Sequence, residues 1–400
     1  MAMSGRLALT VLIGPALAWA MPAHAQNLPV KDMTDQAMQI TPDYLGLPQP
    51  LSASDENASK PSGKPDLVVA PIPISNPAIG TGVAGAAVLF YNPNKSAQPW
   101  VSGLGGGYTS THTWGAGLFH SMSLAHDRVR FLGFAGYGVA NLDFYGIGPD
   151  AGSAGLSIKM HDKALAGVLD VQGQIFREGL LRHFYVGGRF LYLDLNASVT
   201  VPLPNHPEIT PPKFERESTI SMIGPSFTYD SRNSSTNPRK GVYATGTLLY
   251  GADWLGSDFT HHKFQLGANT YLPLGKQTVL ALRQQLCGAS KDAPYYDLCL
   301  FGQQGDLRGY ETGRYRDGAS WALQAELRQH LFWRIGGVAF AGVGGIAEDV
   351  GSIWKHSTVL TSGGVGLRYL ASKDANVNLR ADVAWGKDGP AFYFGIGEAF

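Results

Sequence analysis

The chain has little of what most function classes need. Only two of its 400 residues are cysteines, Cys287 and Cys299. Their spacing is not that of a metal site and no histidine cluster lies beside them. In an exported chain they are expected to join as a disulfide closing a small loop, the alternative being two unpaired thiols. Neither charge is in excess: 31 basic residues balance 31 acidic ones. A zero net charge argues against nucleic acid as a partner, since phosphate binding wants a basic surface. After residue 25 no apolar run reaches the roughly 18 residues of a membrane-crossing helix. Nor is there a Gly-x-Ser-x-Gly, a His-Glu-x-x-His or a phosphate-cradling glycine loop in a usable place. His120 and Ser121 are neighbours on one strand and point to opposite faces, and the same geometry disqualifies His261 and His262 as a metal pair. No catalytic site, no metal and no cofactor is expected, and a hydrolase is disfavoured.

Glycine and aromatics are abundant: 51 glycines, 17 tyrosines and 18 phenylalanines, with only 16% of residues charged. That balance reads as many short strands rather than helices. Residues 1–25 have the form of a secretory signal, with Arg6 ahead of an apolar run from Leu7 to Ala20 and a small-residue cleavage site at Ala23-His24-Ala25. Residues 26–66 are rich in Pro, Ser, Asn and Asp without a sustained period and read as a periplasmic linker, largely disordered.

From Leu67 to Phe400 the pattern has period two. Trp321, Leu323, Ala325 and Leu327 share one face while Gln324, Glu326, Arg328 and His330 share the other; Val377, Leu379, Ala381, Val383 and Trp385 oppose Asn376, Asn378, Arg380 and Asp382. A soluble sandwich also alternates, so one strand cannot decide its surroundings. The signal sequence, the aromatics near strand ends and the absence of long helical patterns together favour a transmembrane barrel with apolar residues toward lipid and polar residues toward the lumen. Sixteen strands are expected, the first at 67–75 and the last running from 391 to Phe400. The long connections, including 141–162, 198–216 and 288–318, then fall on the external side. Such a sheet must close, because lipid offers backbone groups no hydrogen bonds. Its closing seam would hold Pro71 and Pro73 in the first strand and Gly395, Gly397 and Phe400 in the last, residues poor in donors or side-chain packing. Those glycines and prolines are read either as a weak, functional gate or as lumen-facing glycines and prolines outside the ladder.

Leu307-Arg308-Gly309-Tyr310 within the loop Phe301 to Gly318, then Glu326-Leu327-Arg328, then Phe340-Ala341-Gly342-Val343-Gly344, resemble the ordered motifs of the BamA/TamA-type outer-membrane barrel superfamily, the bacterial surface antigen family. The turn Asp230 to Gly241 and the final Phe400 fit as well. The resemblance implies an all-β, sixteen-stranded antiparallel transmembrane barrel at the bacterial outer membrane, with the sixth external loop folded back into the lumen. Arg308 would then be the loop arginine that meets acidic residues of the inner wall. Gly342 stands where the family usually carries an aspartate, so another carboxylate must serve, and strand parity nominates Glu326 and Asp382. Family members that assemble or secrete proteins carry periplasmic polypeptide-transport-associated (POTRA) domains, for which residues 26–66 have no room, so the chain resembles the subset without them. The function implied is assistance to insertion or translocation of proteins, or of lipids, in contact with outer-membrane lipid, nascent or secreted chains, or a separate periplasmic partner. The alternative is a passive channel or structural surface antigen, whose inner wall would mix Arg189, Arg283, Arg328 and Arg380 with Asp170, Glu326 and Asp382.

Overall fold

A computed structural model of the protein describes residues 65–76, 78–94, 100–201, 210–234, 237–302, 306–372 and 376–400. The expected signal sequence and almost all of the expected linker lie outside them. The chain runs β1 (Asp66–Asn76), β2 (Gly80–Tyr91), β3 (Trp100–Thr109), β4 (Trp114–Leu124), β5 (Val129–Phe144) and β6 (Ile158–Gln174). It continues through β7 (Phe184–Val201), β8 (Glu217–Asp230), β9 (Gly241–Gly251), β10 (His261–Pro273) and β11 (Thr278–Ala289). Two short strands, β12 (Cys299–Leu300) and β13 (Arg316–Asp317), interrupt the long loop that follows. The last five are β14 (Ala319–Phe332), β15 (Ile335–Ala347), β16 (Thr358–Ser372), β17 (Val377–Gly386) and β18 (Gly389–Ile396).

All but β12 and β13 form one 16-stranded antiparallel sheet in sequence order. Its faces are inverted relative to a soluble domain. Along β14, Leu323 is 47% exposed while Glu326, three residues on, is fully buried. The same holds around the sheet: Asp170, Asn269, Arg283, Gln324 and Asp382 are buried, whereas Leu104, Leu118, Leu169, Val365 and Phe394 are exposed. Water as the outer solvent would reward the opposite arrangement. The sheet's two edges, β1 and β18, lie side by side, and among the described residues no ladder pairing joins them. Pro71 and Pro73 are in register with Gly85 and Val83 of β2, so the prolines belong to the ladder.

Two expectations need correction. The connection expected over 141–162 is shorter, because β5 and β6 keep pairing out to Phe144 opposite Ile158. Both of those residues are buried with Met160, Ile220 and Met222 against Tyr295 and Tyr296 of the long loop, so burial holds the hairpin together past the point where alternation fades. The last strand also does not reach Phe400. It ends at Ile396, and Gly397 takes a left-handed backbone conformation, φ 84°, which glycine adopts without steric cost. The final residues thereby leave the sheet edge and turn onto its buried face.

Among the described residues, three short α-helices sit in connections at one end of the sheet: α1 (Pro149–Ala154), α2 (Lys213–Arg216) and α3 (Ile353–His356). None is long or apolar enough to cross a membrane.

Candidate functional site

The site is built on the loop between β11 and β14. Its root is fixed covalently: Cys287 near the end of β11 and Cys299 in β12 form a disulfide with Cα atoms 5.8 Å apart. Closing a loop of this length restricts the unfolded chain by about 3 kcal/mol in the chain-entropy account. Beside it Asp297 receives His261 Nε2 at 2.8 Å and Lys263 Nζ at 3.1 Å, both from the start of β10. Burial alone would push the Asp297 carboxyl up, but the Lys263 ammonium and the His261 hydrogen bond outweigh it and hold it below the ordinary range. A depressed carboxylate stabilises the fold above its unfolded value, and that contribution disappears as pH falls through the folded value. Acidification below about pH 4 is therefore expected to loosen residues 290–298, read as faster amide exchange there, and Asp297→Asn should remove the step.

Further along, the loop tip turns inward and is buried completely. Leu307 packs with Phe301, Tyr310, Tyr315, Ala322, Ile346 and Leu360. The Tyr310 hydroxyl donates to the Thr361 carbonyl at 2.7 Å and accepts from Lys387 N at 3.3 Å. Gly309, φ 110°, donates its N–H to the Tyr393 hydroxyl at 2.9 Å. A β-carbon at Gly309 would press on the backbone of Trp385 and Gly386, so both conformation and space require glycine there.

Arg308 is 0% exposed. Its Nη2 meets Glu326 Oε2 at 2.6 Å, its Nη1 meets Asp382 Oδ2 at 2.7 Å, and its Nε donates to Gln324 Oε1 at 3.1 Å. The guanidinium lies over Phe340, its Cζ 3.5 Å from the ring centroid. The planar fork thus spans two strands, β14 and β17, with one carboxylate on each arm. Glu326 sits opposite Phe340 and Gln324 opposite Gly342 across the β14–β15 ladder, so ring, carboxylate and amide occupy neighbouring rows.

Gly342 explains the departure from the family's pattern. A β-carbon there would collide with Leu307 Cδ1 and the Leu323 carbonyl. The space an aspartate would fill belongs to the loop's leucine. Gly342→Asp is expected to drive Leu307 out and undock the tip, read as protease sensitivity or amide exchange at 306–317 with the strands of the sheet unaffected; overpacking of this kind costs about 1–3 kcal/mol.

The arginine grip extends beyond the loop. Arg328 Nε donates to Glu326 Oε1 at 2.7 Å, and Arg368 Nη1 donates to Asp382 Oδ1 at 2.5 Å. Arg368 faces Arg380 directly across β16–β17, a juxtaposition of like charge that the carboxylates between them offset. Glu398 completes the set, accepting from Arg368 Nε at 2.8 Å. Arg368, Glu398, Gln324 and Tyr393 had not been singled out from sequence. A signal for Glu398 existed: it shares parity with the exposed Phe392 and Phe394, and a carboxylate in an exposed apolar row marks a strand that has already ended. Of the other inner-wall residues, Arg189 pairs with Asp170 at 2.6 Å, while Arg283 donates to Asn269 at 3.0 Å and to Gln285 at 3.3 Å. Gly395 is opposite Arg380 in the β17–β18 ladder. Phe400 is buried against Tyr271, Val279 and Ala281, far from a seam position.

More of the loop is tied to neighbouring connections. Tyr145 donates to Glu311 at 2.7 Å, Arg314 pairs with Asp388 at 2.8 Å, and Arg314 Nε donates to the Gly152 carbonyl at 3.2 Å. Among the described residues no cluster of His, Cys, Asp and Glu could hold a metal ion.

The Omp85 superfamily domain matches residues 201–400, half the chain, including the loop, its arginine and every carboxylate it meets. Among solved structures, BamA from Haemophilus ducreyi lacking POTRA domains 1–3 superposes with a TM-score of 0.54 at 15% identity, over 84% of this chain and 70% of that one. CdiB from Escherichia coli gives 0.59 at 14% identity, over 85% of this chain and 63% of its own. CdiB from Acinetobacter baumannii gives 0.54 at 13%, over 83% and 59%. The chain therefore spans less than two thirds of either CdiB, and at these identities the likeness is one of fold. No curated protein matches the chain in sequence. The chain belongs to the Omp85 superfamily, and with that family it is a protein of the outer membrane.

Proposed function

We propose that the sheet closes on itself as a sixteen-stranded transmembrane barrel and assists insertion or translocation of proteins, or of lipids, at the outer membrane through the seam between β1 and β18. Closure is supported by the adjacency of those two strands and by the inverted faces of the sheet, which suit lipid outside and a polar lumen inside. The observation that carries the functional reading is the burial of Leu307–Tyr310 in a charge network beside a seam that, among the described residues, has no ladder pairing. A loop held this tightly is a fixed part of the lumen, and the unpaired edges of β1 and β18 are templates for another strand. The wall next to the seam is also thin in side chains: Gly85 faces Gly106, Gly107 faces Gly115 and Gly117 faces Gly136. With few cross-strand side-chain pairs to break, this wall deforms at low cost.

Outer-membrane lipid is the solvent of the exposed apolar face, and nascent or exported chains are the proposed clients. The burial of the loop tip and of Glu398, Ala399 and Phe400 on the polar face of the sheet speaks against the passive-channel reading. The test is depletion of the protein in its own cell followed by quantification of outer-membrane and exported proteins. Loss of a defined client set supports the reading. An unchanged protein complement, with steady conductance by the purified protein in planar bilayers, would replace it with the channel.

A further inference from the structure

Residues 397–400 behave as a bound ligand rather than as the end of a strand. After the turn at Gly397, whose N–H donates to the Asn378 carbonyl at 2.5 Å, Glu398 is 2% exposed. Its Oε1 accepts from Asn378 Nδ2 at 2.6 Å and its Oε2 from Arg368 Nε at 2.8 Å, with Arg328 Nε 3.6 Å away. Two residues on, the Phe400 carbonyl accepts from Arg328 Nη2 at 2.6 Å. The Arg328 guanidinium lies between two rings, 5.5 Å from the Phe400 centroid and 5.6 Å from that of Tyr271. Ala399 and Phe400 fill an apolar recess made by Tyr271, Val279 and Ala281. The segment thus leaves the β17–β18 edge and binds β10 and β11 on the opposite side of β14–β16. Among the described residues Arg328 Nη1 is buried there without a hydrogen-bond partner, so the wall offers a donor that this segment does not use.

Both arginines that hold the segment also hold the network of the loop tip. Arg328 reaches Glu326, and Arg368 reaches Asp382. These are the two carboxylates that grip Arg308.

We propose that the buried wall formed by Arg328, Arg368, Asn378, Tyr271, Val279 and Ala281 is a peptide-binding site for a short segment carrying a carboxylate two residues before an aromatic ring, that it is occupied by the chain's own Glu398–Phe400, and that its occupancy is coupled to the docking of Arg308. The coupling is a matter of linkage. When Glu398 leaves, Arg368 and Arg328 lose a carboxylate and are drawn harder onto Asp382 and Glu326, in competition with Arg308. Because coupling free energies are reciprocal, undocking the loop tip in turn alters the hold on the segment. The site needs no assumption about clients, so its fate is separable from that of the insertion reading.

The experiment uses the purified full-length protein in detergent micelles, a variant lacking Gly397–Phe400, and the full-length double variant E398Q/F400A, each first checked for heat-modifiable migration as a sign of an intact sheet. A fluorescently labelled peptide Gly-Glu-Ala-Phe is titrated against each by anisotropy. Binding is expected to both variants, weaker on the order of tenfold or more to the full-length protein, whose own segment competes, and weaker by a similar factor when the peptide carries Gln for Glu. Bound peptide is also expected to slow amide exchange at 307–310 in the truncated protein. Equal binding to all three proteins, no binding to either variant, or exchange at 307–310 that ignores bound peptide would overturn the proposal.

Discussion

Arg308→Ala is expected to release the loop tip from the sheet while leaving the sixteen-stranded ladder in place. The substitution strips Glu326 and Asp382, each fully buried, of the guanidinium they share, and uncovers the face of Phe340. Removing one partner of a buried ion pair costs about 3–5 kcal/mol, because the charges left behind have neither water nor a counterion. Arg328 and Arg368 remain as partial counterions, so the loss falls on loop docking rather than on the fold. Amide exchange at 306–317 should rise by orders of magnitude and that of the strands should stay close to its original rate. Lysine should not rescue it: a point charge cannot reach a carboxylate on β14, another on β17 and the Gln324 amide at once. Client assembly or export should fall in the same variant. A rise in conductance with export intact would support the passive-channel reading instead.

The second large effect is expected at Glu326. Its carboxylate receives Arg308 and Arg328 directly and has Arg368 Nη2 at 3.6 Å. Glu326→Ala leaves these three guanidinium groups, with Arg380 beside them, sharing Asp382 and Glu398. The cost is of the same order as for Arg308 or larger, and its distribution differs. Since Arg328 also holds the Phe400 carbonyl, both the loop tip and residues 397–400 should loosen together, read as paired increases in amide exchange. Glu326→Gln keeps an acceptor and the side-chain shape, so its effect should be smaller on both segments. An increase confined to one segment would show that the network is two independent grips.

Much of the sheet was legible because the chemistry that builds it repeats every second residue. Along β14 and β17 the alternation of Leu323, Leu327, Leu379 and Val383 with Gln324, Glu326, Arg380 and Asp382 states which side each residue takes. Parity therefore puts Glu326 and Asp382 on the face that Arg308 reaches. The tip of the loop was legible for another reason: Leu307-Arg308-Gly309-Tyr310 is a motif whose parts each have a fixed place, including a glycine against the Gly386 backbone. What alternation could not supply was contact between distant segments. The extension of β5 and β6 depends on Tyr295 and Tyr296, more than 130 residues away in the chain. The end of β18 depends on Arg368 and Asn378, which draw Glu398 off the sheet edge. Gly342 was visible as a departure from the family's pattern, and its reason, the Leu307 side chain, lies in another element.

The central claim is that the seam between β1 and β18 opens to other chains. It is tested most directly by photo-crosslinking in intact cells from single probes at the exposed positions Leu67 and Val69 of β1 and Phe392 and Phe394 of β18, with every adduct identified by mass spectrometry. Adducts with nascent outer-membrane or exported polypeptides, lost in Arg308→Ala, are the expected result. Adducts only between β1 and β18 of the same molecule, unaffected by Arg308→Ala, would contradict it and leave a shut barrel.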